Sequence, residues 1–230
     1  MKQILISTVA ALSLPLAVSF LLIGNVLAAE NDCQSFRIQG SSILIEDNNS
    51  TLKSGSLASI ATGVSAGQIV VIDFPKSEIC VLGQSDAALS GGALVVNSHL
   101  DELAITASID GSYDVLLRID LNFESELLIE RGVGEDIGLT EMEFLSDNSG
   151  VGAEDFFAEE IGFLEVGGAQ LGGLFAEVPR YGISYNHYQG LDDSGLADTS
   201  TTRGSLGLAV LRDVVLTINY QDKGFAVNKP

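Results

Sequence analysis

The sequence predicts a mainly β protein: an antiparallel β-sandwich or an irregular β-solenoid, with at most one or two short helices. Three observations predict it. Short apolar, β-branched segments recur between Gly, Pro and Asp/Asn breakers. One pair of segments alternates apolar and polar residues on both sides of an Asp-Gly pair. Helical spacing of apolar residues is nearly absent.

The first residues come before any of this. Lys2 is followed by an uncharged, apolar stretch from Ile4 to Ala29 that ends in Val26-Leu27-Ala28. That is the layout of a secretory signal peptide, residues 1–28, cut after Ala28. An uncleaved anchor is the rival, since the run is long enough to span a bilayer. Pro15 and the small-residue end favour cleavage. Residues 29–230 then form a single β-rich domain, with a sub-boundary near 98–102.

"SSILIE" (Ser41–Glu46) runs into the turn signal Asp47-Asn48-Asn49. "QIVVIDF" (Gln68–Phe74) stops at Pro75, and "SEICVL" (Ser77–Leu82) and "ALVVN" (Ala93–Asn97) follow. The clearest element is a hairpin. Leu103, Ile105, Ala107 and Ile109 precede Asp110-Gly111; Tyr113, Val115, Leu117, Ile119, Leu121 and Phe123 follow it at period two. Arg118 and Asp120 fall on the other face, toward water. The same alternation runs from Leu206 to Tyr220, broken at Arg212 by a bend, bulge or edge. Helical turns are predicted in two places, around Gly55–Thr62 and over Glu154–Leu164. Gly132–Gly138, Asp147–Gly152 and residues 190–204 read as loops, the last a flexible one. "SGGALVV" and "VGGAQLGGLF" are alike, but no constant period appears.

Eleven Lys and Arg face 31 Asp and Glu, for a formal charge of −20. Such a surface repels nucleic acid and anionic membranes and favours cations and basic partners. Cys33 and Cys80 are the two cysteines. In an exported chain an even count reads as one disulfide, worth about 4 kcal/mol by chain entropy. No apolar stretch after the leader is long enough for a membrane helix. An outer-membrane barrel is disfavoured by the absence of Trp and the scarcity of Tyr.

Candidate chemistry is sparse. Gly63-Val64-Ser65-Ala66-Gly67 spells the nucleophile-elbow pattern, which needs a strand before the serine and a helix after it. Here a strand-like segment follows, so Ser65 reads as a turn residue. His99 and His187 lack metal-ligand spacing. "GVGEDIG" (Gly132–Gly138) has its last glycine one place late for a dinucleotide loop, and Glu135 and Asp136 would face the phosphates. The acidic loops offer oxygen ligands for calcium: Asp147, Glu154 and Asp155 in one, Asp192, Asp193 and Asp198 in another. The EF-hand pattern fails, because Val151 and Ala158 occupy ligand places. No catalytic or cofactor set emerges.

Signal, early cysteine and alternating strands resemble fimbrial subunits, although Lys229 stands where those carry a tyrosine. "FLEVGGAQLGGLFAEV" (Phe163–Val178), within an acidic β-rich body, resembles exported bacterial filament or pilus-assembly proteins. The expectation is an exported, non-enzymatic structural or interaction protein in the periplasm or on the surface of a bacterium. Its partners would be envelope proteins or further copies of itself, joined by strand addition at an open sheet edge. The alternatives are a calcium-dependent extracellular binding module and a secreted serine hydrolase using Ser65 with His187.

Overall fold

The computed structural model describes residues 32–46, 52–65, 67–83, 89, 91–97, 101–139, 156–181 and 202–230. In chain order the elements are β1 (Asp32–Gln39), β2 (Ser42–Glu46), β3 (Leu52–Gly55), α1 (Leu57–Gly63), β4 (Ile69–Asp73), β5 (Glu78–Leu82) and β6 (Leu94–Asn97). Then come β7 (Glu102–Ile109), β8 (Tyr113–Asp120), β9 (Leu127–Ile129), α2 (Arg131–Asp136), β10 (Phe156–Val166) and β11 (Ala169–Pro179). β12 (Gly204–Gly207), α3 (Leu208–Leu211), β13 (Val215–Asn219) and β14 (Gly224–Asn228) complete the set. The mainly β class holds. The described residues contain three short helices, one more than the sequence predicts.

The β7–β8 hairpin forms where the period-two pattern places it. Leu103, Ile105, Ile109, Val115, Leu117 and Ile119 are buried on its inner face. Asp110 and Gly111 take φ of 51° and 64°, and Ser112 N donates to Ile109 O at 3.1 Å. Positive φ at both central residues matches the right-handed twist of the flanking strands. The Asp110 carboxylate also accepts Phe163 N at 2.8 Å, which ties the turn to β10.

That hairpin anchors a closed barrel. Along one sheet the order is β10-β11-β9-β12-β8-β7-β6, and β10 returns to pair with β7 through Leu164–Ile109, Glu165–Ser108 and Val166–Ala107. Six strands thereby close on themselves, with β6 paired to the free half of the same β7 edge. The second sheet is open, in the order β14-β13-β4-β5-β1-β2-β3. Both sheets share one hydrophobic core, in which Ile72, Ile79, Ile105, Leu117, Leu164, Leu216 and Phe225 are all buried. A closed barrel beside an open sheet is therefore the architecture, in place of a simple sandwich or solenoid.

Three local readings are corrected. Glu154–Leu164, read as helical turns, contains the start of β10; its described part is extended and held by β11 along the hairpin and by β7. Pairing on both edges overrides a local pattern that alternates poorly. Gly132–Gly138, read as a loop, contributes most of α2, where Val133 and Gly134 are buried. The run from Leu206 to Tyr220 is interrupted by α3, in which Leu208, Val210 and Leu211 are all buried and Arg212 is the C-cap. The predicted turn near Gly55–Thr62 is α1, capped by Ser56, whose Oγ accepts Ser59 N at 3.0 Å.

A pseudo-twofold relation runs through the open sheet. β4 and β13 pair antiparallel, with Val71 opposite Thr217, and Val70–Ile218 and Ile72–Leu216 to either side. A twofold between Val71 and Thr217 exchanges those two flanking pairs. It also carries the β4–β5 hairpin onto β13–β14. Asp73 Oδ1 accepts Lys76 N at 3.0 Å, and Asn219 Oδ1 accepts Asp222 N at 3.1 Å. Ser77 and Lys223, four residues after each, have φ of 56° and 51°. Beyond the hairpins, Phe36 N donates to Ser77 O and Leu94 N to Lys223 O, both at 2.8 Å. Phe36 then pairs with Ile45 on β2 as Leu94 pairs with Ile105 on β7. Ile45 faces Lys53 on β3 as Ile105 faces Leu117 on β8. Thus β1, β2, β3, α1, β4 and β5 correspond in order to β6, β7, β8, α3, β13 and β14.

Candidate functional site

β3 has weak strand credentials of its own: one leucine followed by Lys, Ser and Gly. Four pairings with β2, from Ile43–Gly55 to Glu46–Leu52, hold it extended. It ends at Ser56, whose Oγ caps α1 and donates to Asp101 Oδ1 at 2.5 Å, beside the start of β7. Among the described residues no strand pairs with the outer edge of β3, and Leu52 is 57% exposed. Backbone N–H and C=O groups left along such an edge can template another strand. The opposite margin of the sheet is covered, because Val227 N on β14 donates to Gly167 O at 2.8 Å. The β3 edge is the candidate site.

Two polar networks sit on the barrel. Arg118 donates to Glu102 Oε1 at 2.9 Å and to Asp120 Oδ2 at 2.6 Å, and the three side chains are only 13–18% exposed. The alternation that points Arg118 and Asp120 to water is thus right about the face and wrong about the solvent: charge pairing lets both lie half-buried. In the second network Arg203 Nε donates to Glu130 Oε2 at 2.8 Å and its Nη1 to Tyr113 Oη at 3.0 Å. Tyr113 Oη donates to Asp136 Oδ2 at 3.0 Å. Desolvation, then the bond to the Asp136 carboxylate, raises the Tyr113 phenol above its ordinary value. The hydrogen bond to Glu130 holds the Arg203 guanidinium in its charged form. Each network sets one arginine against two carboxylates and ties elements together.

A cavity of 320 Å³ lies where β1 meets the end of β8, lined by Phe36, Ile38, Phe74, Leu121, Leu208 and Arg212. The rings of Phe36 and Phe74 meet edge to face at 5.8 Å. The volume is at the low end for a ligand pocket.

Cys33 and Cys80 form the expected disulfide. They face one another across β1 and β5, with Cα atoms 4.1 Å apart and a sequence separation of 47. A formed disulfide fits an oxidising compartment. Ser65 is exposed in the turn between α1 and β4; its N donates to Gln68 Oε1 at 2.8 Å, and Gln68 N donates to Ser65 O at 3.1 Å. The helix comes before this serine and the strand after it, the reverse of an elbow. The calcium candidates Asp147, Glu154, Asp155, Asp192, Asp193 and Asp198 lie outside the described residues, as do His99, His187 and the leader. Residues 190–201 lie outside them too, while Gly204, the last residue of the predicted loop, opens β12. Among the described residues no three His, Cys, Asp or Glu side chains come together as a metal site. No helix among them is long and apolar enough to cross a membrane. The edge character of β3 has no sequence signal, because it depends on which strands fail to reach it.

No protein-family profile and no curated protein matches the chain. Among solved structures it is similar to a retropepsin-like aspartic protease from Rickettsia conorii, at a TM-score of 0.36 and 10% identity. The match covers 63% of this chain and 98% of that one. At this score and identity nothing about the function of this chain follows from it.

Proposed function

We propose that the protein is an exported, non-enzymatic interaction protein of the bacterial envelope or cell surface, associated with a filament or pilus, and that it holds its partner by strand addition. The observation that carries this reading is the outer edge of β3, with which no strand among the described residues pairs, beside an exposed Leu52. Main-chain pairing at an edge supplies affinity without a preformed pocket. The disulfide and the apolar leader support the same reading.

Site-specific photo-crosslinking in the producing cell tests it. A photoreactive residue at position 52 should give a discrete adduct; one at position 221, in the β13–β14 turn, should not. Ser54→Pro, which removes one edge N–H, should abolish the adduct, and Leu52→Lys, which leaves the backbone intact, should weaken assembly in size-exclusion chromatography. No adduct at 52, or one that survives Ser54→Pro in a protein that still melts cooperatively, would count decisively against strand addition.

A further inference from the structure

The 320 Å³ cavity at the junction of the two sheets has a lining that divides by depth. Phe36, Phe74, Leu121 and Leu208 form its floor, each no more than 5% exposed. Arg212 and Glu124 stand at its rim, with side chains 59% and 72% exposed. Arg212 Nη2 donates to Glu124 Oε2 at 3.2 Å. An ion pair this exposed is weakly held. Nor does it use up either group: a guanidinium has five N–H donors, and a carboxylate has a second oxygen.

The pseudo-twofold supplies a comparison within the molecule. Phe74 follows Asp73 as Tyr220 follows Asn219, and Leu208 opens α3 as Leu57 opens α1. In the other half Tyr220 Oη donates to Leu57 O at 2.8 Å, which ties the aromatic ring to the helix. Phe74 carries no hydroxyl, and on this side ring and helix both line the cavity. Leu121, Asn122 and Glu124, which complete the lining, come from the stretch between β8 and β9. The first half has no such stretch, because β3 runs straight into α1. The cavity is therefore a departure from the internal symmetry, built on one side alone.

We infer that this cavity binds a small zwitterion with an apolar body, namely a free amino acid with a hydrophobic side chain of about leucine's size. The side chain lies against Phe36, Phe74, Leu121 and Leu208. The α-carboxylate accepts from Arg212, and the α-ammonium donates to Glu124. A pocket at the low end of the size range, with an apolar floor and a few polar groups that fix orientation, suits one such molecule. Local charge selects the class. An apolar anion would set its carboxylate against Glu124, and an apolar cation would meet Arg212; a molecule with both signs matches both. The inference is independent of strand addition at β3.

Titration of the disulfide-bonded protein with L-leucine, followed by amide NMR, tests it. Saturable shifts are expected in Phe36–Gly40, Phe74–Ser77 and Leu208–Arg212. 4-Methylpentanoate, which lacks the ammonium, and 3-methylbutylamine, which lacks the carboxylate, should each bind about tenfold more weakly. Arg212→Gln should weaken leucine about tenfold and leave 3-methylbutylamine unchanged. Glu124→Gln should weaken leucine to a similar degree and leave 4-methylpentanoate unchanged. Phe74→Tyr, which gives the ring the hydroxyl of its counterpart, should abolish binding while keeping the melting temperature. Both rim positions are exposed, so their variants test the site even if Phe74→Tyr fails to melt cooperatively. No saturable shift at millimolar leucine, shifts confined to other parts of the protein, or full binding by a folded Phe74→Tyr would overturn the site. Binding of either analogue as tight as that of leucine would overturn the zwitterion assignment.

Discussion

Asp73 shows how much one side chain can do in a turn. Its carboxylate accepts Lys76 N at 3.0 Å and meets Lys76 Nζ at 2.6 Å, and the hydrogen bond to the Lys76 side chain holds it below the ordinary carboxylate range. A lowered folded value means that the stabilisation is complete above the ordinary value of about 3.9 and is lost as pH falls through the lowered one. Asp73→Asn is a clean test, because Asn219 makes the same turn contact at the equivalent position. Urea melts should show a constant gap between wild type and D73N from pH 5 to 7, closing below about pH 4; a gap that persists at lower pH would refute the assignment. Gly207 illustrates packing. A Cβ there would meet Ser125 O, and Phe123 O at 2.8 Å. Gly207→Ala should cost about 2–3 kcal/mol in the same melts. Gly168→Ala, where φ is +84° and nothing lies within 4 Å, should cost only about 1 kcal/mol. Residue-scale features were the most legible ones: the cysteine pair, the turn at Ser65 and the Asp110-Gly111 reversal all follow from local chemistry.

At the scale of elements, legibility depended on whether partners were local. The β7–β8 hairpin could be read because both strands and the turn lie within one stretch of chain. β10 could not, since its extended state is imposed by β11 and by the distant β7. α2 hid behind its glycines, whose helix cost is offset when Val133 and Gly134 pack against the barrel. The disulfide acts at this scale too. It joins β1 to β5 where those strands share four residue pairs, from Asp32–Val81 to Ser35–Glu78. Cys33→Ser/Cys80→Ser should lose about 3–4 kcal/mol, and hydrogen exchange should quicken first in β1–β3, ahead of the barrel. Uniform exchange across both sheets would show that the bond does not secure this subunit of the fold.

For the whole molecule, neither barrel closure nor the internal pseudo-symmetry was legible. The offsets between equivalent residues change along the chain: Phe36 matches Leu94, Ile45 matches Ile105, and Val71 matches Thr217. A search for a constant period cannot find such a repeat. β4 of the first half pairs with β13 of the second through four residue pairs, from Val215–Asp73 to Ile218–Val70. A fragment of residues 1–97 and another of residues 101–230 should each fail to melt cooperatively, and mixing them should restore a transition. A sigmoidal melt from either alone would show two independent domains.

Timing follows from the same pairing. β13 is the neighbour of β4 in the open sheet, yet β5 to β12 are all made between the two. Until Asn219 has emerged, the earlier hairpin presents an unmet side, and the central seam of the open sheet cannot close. A chain wired in this way builds its central seam from strands made far apart in time, so local hairpins precede the assembled sheet.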